Sequence, residues 1–544
     1  MKTSLKIFLL AGLAIWLCQC GPEKQNALKI EARDTTITKS VAFSELFMDS
    51  LDLAKFIART PMHDSLAARL TSFYNRRNYQ YAWFFPNGIA DYVFTFLGMQ
   101  NQYLYYSGDS TIYLPGLQAR IDSLAEVRDI HPGDSLIRQT ELLLTYQFFR
   151  YAYFAYAGDR RVNQGDLGWF IPRKKLDLAP FLDSLVANKG KRVEQYEPVN
   201  RQYRLLRTHL LRYYGIRNAN RWDSIPPAKK ALRKGESAGV VPEVRKRLML
   251  LGFEAGSEPD SLEAVTPALL EAVAQFKQQH GLASDNTLDR EFFDAINVPI
   301  TKRIQQILIN MERIRWMPDQ PDKDYLLVNI PEFRLHAYEN GKLAFQMDVV
   351  VGSAAHHTVV FQNVVSQVVF SPYWNVPPGI MKNEILPAIA RDPNYLARNR
   401  MEWHGTSVRQ KPGPGNSLGR AKFLFPNSYN IYLHDTPAKR LFKETRRAFS
   451  HGCIRVSDAK KLAEFLLRKD STWTAEKIEA AMESGKEKVV RLKKEEQVQV
   501  VIGYFTAWVD KDGKLNFRND VYGHDQKMIG RYFAGKPAMA KTPE

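Results

Sequence analysis

The stretch Tyr325-Leu-Leu-Val-Asn-Ile-Pro-Glu-Phe-Arg-Leu-His-Ala-Tyr-Glu-Asn-Gly-Lys-Leu-Ala-Phe-Gln-Met-Asp-Val-Val-Val-Gly352 decides the fold of the C-terminal half. Leu326 to Pro331, Leu335 to Tyr338 and Phe345 to Gly352 read as strands, and Asn340-Gly341 between the last two is the dipeptide that a tight hairpin turn demands. A mainly β domain therefore starts here. Further strands are expected over Val364 to Phe370, Ile431 to His434 and Val498 to Trp508, with helices over Ala459 to Lys469 and Ala475 to Gly485. Upstream the period changes. Ile304, Ile307, Leu308, Met311 and Ile314 form one apolar stripe of a helix from Thr301 to Trp316, which Pro318 stops and which should pack onto the β domain. Val244, Leu248 and Leu251, then Leu270, Val273 and Phe276, mark two short helices of a compact unit between 239 and 297. From about 43 to 225 come long amphipathic stretches such as Glu141 to Tyr156, so that region reads as helical, with Phe73, Tyr74, Tyr79, Tyr81 and Trp83 as core. The fold class is multidomain α+β.

Composition bounds the function less tightly. The chain has 544 residues, too many for one ordinary core, with 45% hydrophobic and 25% charged residues, which is a globular balance. Its formal charge of +18 drops only by Lys2 and Lys6 if the leader is removed. Such an excess suits anionic polymers, and outside the cytosol these are cell-wall peptides or lipid head groups rather than nucleic acid. Part of it simply keeps a surface solvated.

The first residues give the address. Two lysines precede the apolar run Ile7 to Leu17, too short to span a bilayer, which is the layout of a secretory signal. Leu17-Cys18-Gln19-Cys20-Gly21 resembles a bacterial lipobox with Cys20 as the lipidated residue, although Cys18 and Gln19 replace the small residues usual there. That implies a lipid-anchored, periplasm-facing lipoprotein, on the outer membrane of a Gram-negative-type cell, after a signal over 1–20. Residues 21–42 are polar and aperiodic and read as a tether. The third and last cysteine, Cys453, then has no disulfide partner, and a lone thiol in an exported protein is a candidate nucleophile.

Ile431-Tyr-Leu-His-Asp-Thr-Pro437 and Ser450-His-Gly-Cys-Ile-Arg-Val456 supply the rest of that chemistry. A thiol attacks an amide as thiolate, so its ordinary pKa of about 8.5 must be lowered or its proton taken by an imidazole. His434 is the base within reach of a turn carrying Cys453. Gly452 lets backbone amides approach an oxyanion, and Asp435, by its carboxylate or its backbone carbonyl, is the group to orient the imidazole.

Ser450-His-Gly-Cys453 with His434 before it resembles the signature of the L,D-transpeptidase catalytic domain of the YkuD type. Val328 to Leu335, Ser371 to Pro378, Pro412 to Pro426 and Asp520 to Asp525 extend the likeness to the large YcbB-like branch, and Ala272 to Leu282 resembles the second helix of a small three-helix peptidoglycan-binding module. One departure is Thr358-Val359, where the branch usually has proline after the threonine. The resemblance implies a helical scaffold over 43–238, a peptidoglycan-binding-like domain over 239–297 and a catalytic domain over 298–544 with a capping segment at about 378–413. It implies that Cys453 is the nucleophile and His434 the base, that His451, Gly452 and the Cys453 amide shape the oxyanion pocket beside Ser450, and that Arg455 meets a substrate carboxylate. Tyr432 and Trp374 would be pocket walls, or strand-packing aromatics. The reaction implied cleaves a peptidoglycan tetrapeptide stem at its terminal D-alanine, forms a Cys453 thioester and passes it to a second stem, linking two diaminopimelate residues without ATP or any cofactor. Carbapenem-type compounds would acylate the same thiol.

Three rivals frame that reading. His356, His357, His404, His434, His451 and His524 could be claimed for a metal hydrolase, but no His-Glu-x-x-His run occurs and no metal is expected. The same thiol could serve a carboxypeptidase or hydrolase. A non-catalytic lipoprotein could staple membrane to wall through 239–297, a role needing neither Cys453 nor His434.

Overall fold

A computed structural model describes residues 29–42, 44–174, 176–259, 261–318 and 323–533. Cys20 and the signal region therefore lie outside the described residues. The chain forms two compact units, one made of the chain up to Asn101 with Ile112–Tyr153 and Asp177–Glu197, the other of Gln102–Thr111, Phe154–Leu176 and everything from Pro198.

The first unit is helical. Its helix α1, Asp64–Arg76, meets the early part of α2, Ser135–Tyr156, around a buried carboxylate. Glu141 accepts hydrogen bonds from the Ala82 and Trp83 amides at 2.7 and 2.9 Å and from the Tyr74 hydroxyl at 2.9 Å. Those three donors replace water; burial nevertheless raises its pKa to about 7. The supposed tether is not free along its described length. The Asp34 amide donates to Asn75 O at 2.9 Å and Glu31 pairs with Arg76 at 2.7 Å, so its polar residues dock on the end of α1, which a lack of periodicity could not reveal.

In the second unit, α3 (Arg201–Ala219) precedes a three-helix module of α4 (Val241–Leu250), α5 (Pro267–Gln279) and α6 (Arg290–Ile296). Thr266 caps α5, Pro267 starts it, and Leu248, Val273, Phe276 and Phe292 fill the centre without solvent exposure. His280 is buried against Phe276 and bonds its carbonyl at 2.8 Å, a packing role. Helix α7, Ile300–Trp316, buries its whole apolar stripe and binds the next domain through polar groups as well. Asn310 exchanges two hydrogen bonds with Thr506, and Arg313 meets Asp525 at 2.5 Å.

The strands of the C-terminal half are β1 (Tyr325–Asn329), β2 (Arg334–Glu339), β3 (Lys342–Gly352), β4 (Phe361–Val365), β5 (Gln367–Phe370), β6 (Trp374–Asn375), β7 (Met401–His404), β8 (Ser407–Gln410), β9 (Ala421–Leu424), β10 (Leu433–His434), β11 (Ala448–Ser450), β12 (Ile454–Val456), β13 (Lys488–Arg491), β14 (Val498–Gly503), β15 (Ala507–Val509) and β16 (Leu515–Phe517). The main sheet runs β13-β5-β9-β10-β12-β3-β2-β1-β14-β4, with β11 also on β3. Asn340-Gly341 makes the β2–β3 turn, both residues at positive φ. Strands β4 and β5 stand near opposite ends of that order yet are joined by Ser366 alone, so the sheet must curl until its ends meet. The single strand expected over Val364 to Phe370 is thus two, because Val365 and Val368 are both core and burial hides the bend from the apolar pattern. Likewise Val498 to Trp508 splits into β14 and β15, and only Leu433 and His434 of the Ile431 run join a ladder. Helices α8 (Ala459–Leu467) and α9 (Ala475–Glu483) pack against the enclosed core, and α10 (His524–Tyr532) follows.

A small separate substructure begins at β6, ahead of Pro378, where the capping segment was expected. Strands β6, β8 and β7 make a separate three-stranded sheet, and Val376, Met381, Ile385, Met401 and Val408 form its own small core.

Candidate active site

Strands β10 and β12 run parallel, with Leu433 opposite Ile454 and His434 opposite Arg455. Leu433 and Ile454 are wholly buried in the core. Side chains alternate along a strand, and partners across a ladder share a face. Tyr432, His434, Cys453 and Arg455 therefore project together from the other face of the sheet.

The turn before Cys453 is held by its own hydroxyl. Ser450 Oγ donates to Cys453 O at 2.5 Å and accepts from the Gly452 amide at 3.1 Å. Gly452 has φ of +113°, a conformation L side chains rarely adopt. Thr358 Oγ1 donates to Gly452 O at 2.7 Å and accepts from the Gly352 amide at 2.9 Å. Tyr522 Oη donates to Gly352 O at 2.7 Å and accepts from the Thr358 amide at 3.3 Å, while His357 stacks on the Tyr522 ring. These bonds tie the end of β3, the His356–Thr358 loop and the cysteine turn into one piece.

Electrostatics set the resting protonation. The Cys453 thiol donates to Asn430 O at 3.4 Å. Burial pushes its pKa up, against hydrogen bonds from Tyr432 and the nearby Arg455 charge. Burial and the Arg455 cation push His434 down to about 4. His434 Nδ1 lies 2.5 Å from Asp435 O, which fixes the proton on Nδ1 and turns Nε2 outward as an acceptor. The backbone carbonyl orients the base. The Asp435 carboxylate is occupied elsewhere, accepting from the Arg420 amide at 2.9 Å and from Lys439 Nζ at 2.6 Å. Thiol and imidazole thus both rest neutral on one face of the sheet, an arrangement that suits proton removal during attack better than a standing thiolate.

The remaining candidates divide. Arg455 Nε is buried without a hydrogen-bond partner, so the cation has capacity for an incoming anion. His451 points to the cap, its Nε2 at 3.0 Å from Glu384 Oε1 and its ring 4.8 Å from that of His356. Glu384 sits in the π-turn Met381–Ile385, a widened turn immediately ahead of Pro387. Trp374 packs on the small apolar cluster of Val376, Met381, Ile385, Met401 and Val408. Of the six histidines weighed for a metal, His404 lies exposed on β7, and among the described residues no three His, Cys, Asp or Glu are grouped to hold an ion. Thr358, Tyr522, Asn430 and Glu384 carried no assigned role in the sequence. The first two fall inside recognisable stretches; Glu384 left no signal.

Residues 323–489 match the profile of the YkuD family, the L,D-transpeptidase catalytic domain, and residues 68–210 match a Scaffold domain profile. A curated Haemophilus influenzae protein, described as a candidate L,D-transpeptidase, is 31% identical over 273 residues, which cover 45% of this chain and 54% of the relative. The chain thus spans about half the length of that relative. Among solved structures, an L,D-transpeptidase of Xylanimonas cellulosilytica aligns over 51% of this chain and 100% of its own at 13% identity and a TM-score of 0.17. The catalytic domain of an E. faecium L,D-transpeptidase acylated by ertapenem aligns over 33% and 96%, at 14% identity and a TM-score of 0.19.

Proposed function

We propose that the protein is a peptidoglycan L,D-transpeptidase acting through Cys453, a reading supported by the match of residues 323–489 to the L,D-transpeptidase catalytic domain of the YkuD type. The observation that carries this reading is the β10–β12 pairing, which lines up a neutral thiol, a base oriented through Nδ1 and an unpartnered arginine on one face.

In the first step Cys453 Sγ attacks the carbonyl before the terminal D-alanine of a tetrapeptide stem while its proton passes to His434 Nε2. The Gly452 amide is committed to Ser450, so the Cys453 amide is the donor that this turn offers the oxyanion. Arg455 takes the donor's carboxylate. Collapse expels D-alanine, whose nitrogen receives the proton from His434, and leaves a thioester. The side-chain amine of a second stem attacks that thioester, its proton returns through His434 to the sulfur, and a diaminopimelate–diaminopimelate link results. Amide energy is conserved in the thioester, so no nucleotide is consumed. The same attack on a carbapenem would leave a stable acyl-enzyme. Cys20 would carry the lipid that holds the protein at the periplasmic face of the outer membrane, where it organises the wall.

The test incubates residues 21–544 and the Cys453→Ala variant with purified disaccharide-tetrapeptide and reads products by mass spectrometry. A cross-linked dimer lacking one D-alanine, absent with the variant, is the expected result. Tripeptide alone would assign a carboxypeptidase, and no Cys453-dependent product would leave wall anchoring as the role.

A further inference from the structure

A groove of about 1260 Å3 opens on the outer face of β4, β14, β1, β2 and β3. That exceeds the roughly 300–1,000 Å3 that encloses a small ligand and suits a segment of a polymer. Its floor follows from register. Gln362, Val501, Leu327, His336 and Gln346 stand side by side across the five strands, and Tyr325 and Tyr338 stack at 4.4 Å in the neighbouring row. Apolar and aromatic surface is thus flanked by amides and an imidazole, with the Trp508 ring on one wall. Gln362 Oε1 is buried without a hydrogen-bond partner, an acceptor the fold itself does not use.

Two further walls relate this groove to the rest of the unit. One is the end of α5 with Gly281 to Ser284, from the three-helix module. The other is Lys443 to Arg447, where Lys443 and Arg446 stand beside one carboxylate, Glu444, while Arg447 is paired with Asp348 at 3.0 Å; this stretch continues directly into the turn that holds Cys453. Arg447 and Cys453 are six positions apart, a reach of at most about 20 Å. A polymer in the groove with short acidic branches would find its backbone on rings and amides, its branch carboxylates near the cations, and a branch end within reach of the nucleophile.

We propose that this groove binds the N-acetylhexosamine backbone of the wall polymer whose peptide branches are the substrate. Rings and amides along a floor match alternating apolar sugar faces and N-acetyl groups, and Gln362 Oε1 accepts from a sugar hydroxyl or amide. Docking the strand raises the effective concentration of its branches at Cys453. The branch part of this assignment rests on the transpeptidase reading; saccharide binding does not.

The test uses the lipid-free chain, residues 21–544, carrying Cys453→Ala so that nothing turns over, with chitohexaose titrated by calorimetry. Binding is expected, weakened at least about tenfold by Gln362→Leu with Trp508→Ala, while circular dichroism of that variant matches the parent. Unchanged affinity in the variant, or no saccharide binding at all, would overturn the proposal. So would a groove that instead takes the free tetrapeptide, its affinity falling in the same variant. If chitohexaose binds in the groove but the unmutated chain makes no Cys453-dependent product, the transpeptidase reading fails and the saccharide site stands.

Discussion

Replacing Thr358 with valine keeps the shape of a side chain that is 1% exposed and removes only its hydroxyl. That hydroxyl serves two buried backbone groups, the Gly452 carbonyl at 2.7 Å and the Gly352 amide at 2.9 Å. Leaving each unpaired costs about 1–3 kcal/mol, so Thr358→Val should lose about 2–6 kcal/mol of stability. For a domain of this size each kcal/mol moves the melting temperature by about 2–4 °C, which predicts a fall of at least about 4 °C. Thr358→Ser keeps both bonds and gives up a methyl group, about 1 kcal/mol. Function should follow geometry. Without its tie the Gly452 carbonyl drifts, Cys453 goes with it, and a misplacement near 1 Å costs about 100-fold in rate. Acylation by a carbapenem, followed by intact mass, should slow about 10- to 100-fold in the valine variant and little in the serine variant. A valine variant within about 0.5 kcal/mol of the parent and acylating at its rate would refute the hydrogen-bond account.

Three other outcomes follow from the same geometry. His434 is held at about 4, below its ordinary value near 6.5, so the acid limb of the acylation rate should lie near pH 4; a limb between pH 6 and 7 would contradict the neutral-pair account. The same depression makes the unfolded chain bind the extra proton first, so stability should fall, by roughly 3 kcal/mol, as pH drops from about 6.5 to 4, and urea midpoints flat across that window would exclude it. Gly419→Ala forces a side chain into positive φ with its Cβ 2.4 Å from Asp435 Oδ2; it should cost about 1–3 kcal/mol and slow acylation by disturbing the carbonyl that orients His434, whereas wild-type rates would show that carbonyl to be dispensable. Glu384→Ala removes a half-exposed contact, so global stability should change by less than about 1 kcal/mol while hydrogen exchange over 378–391 speeds up; unaltered exchange would mean the cap is held by its apolar core alone.

The architecture was legible where periodicity is local. The stripe from Ile304 to Ile314, the Asn340-Gly341 turn and the texture change at Tyr325 each announce themselves within a dozen residues, and the α+β organisation follows. What escaped was decided by distant partners. The bend at Ser366 is invisible because valines on both sides are core, and the docking of residues 29–42 depends on Asn75 and Arg76. At the site, cysteine and imidazole were readable from their chemistry and spacing, and Arg455 only through the family resemblance. The choice of the Asp435 carbonyl over its carboxylate was not, because it depends on where Lys439 and the Arg420 amide draw that carboxylate. Glu384 was beyond reach for a similar reason: an exposed carboxylate on a polar helix face gains meaning only when the cap brings His451 to it.

The β10–β12 ladder has a further consequence for how such a site can change over generations. His434 and Cys453 are matched by strand register, so the connection from Asp435 to Ser450 need only lay β11 on β3 as it passes from one strand to the other. Lengthening its solvent-facing part adds little closure entropy and does not move His434 against Cys453. Outside Lys439 and the groove wall Lys443 to Arg447 that connector is therefore free to diversify, while deletion of a single residue within β10 or β12 would turn half of these side chains into the core.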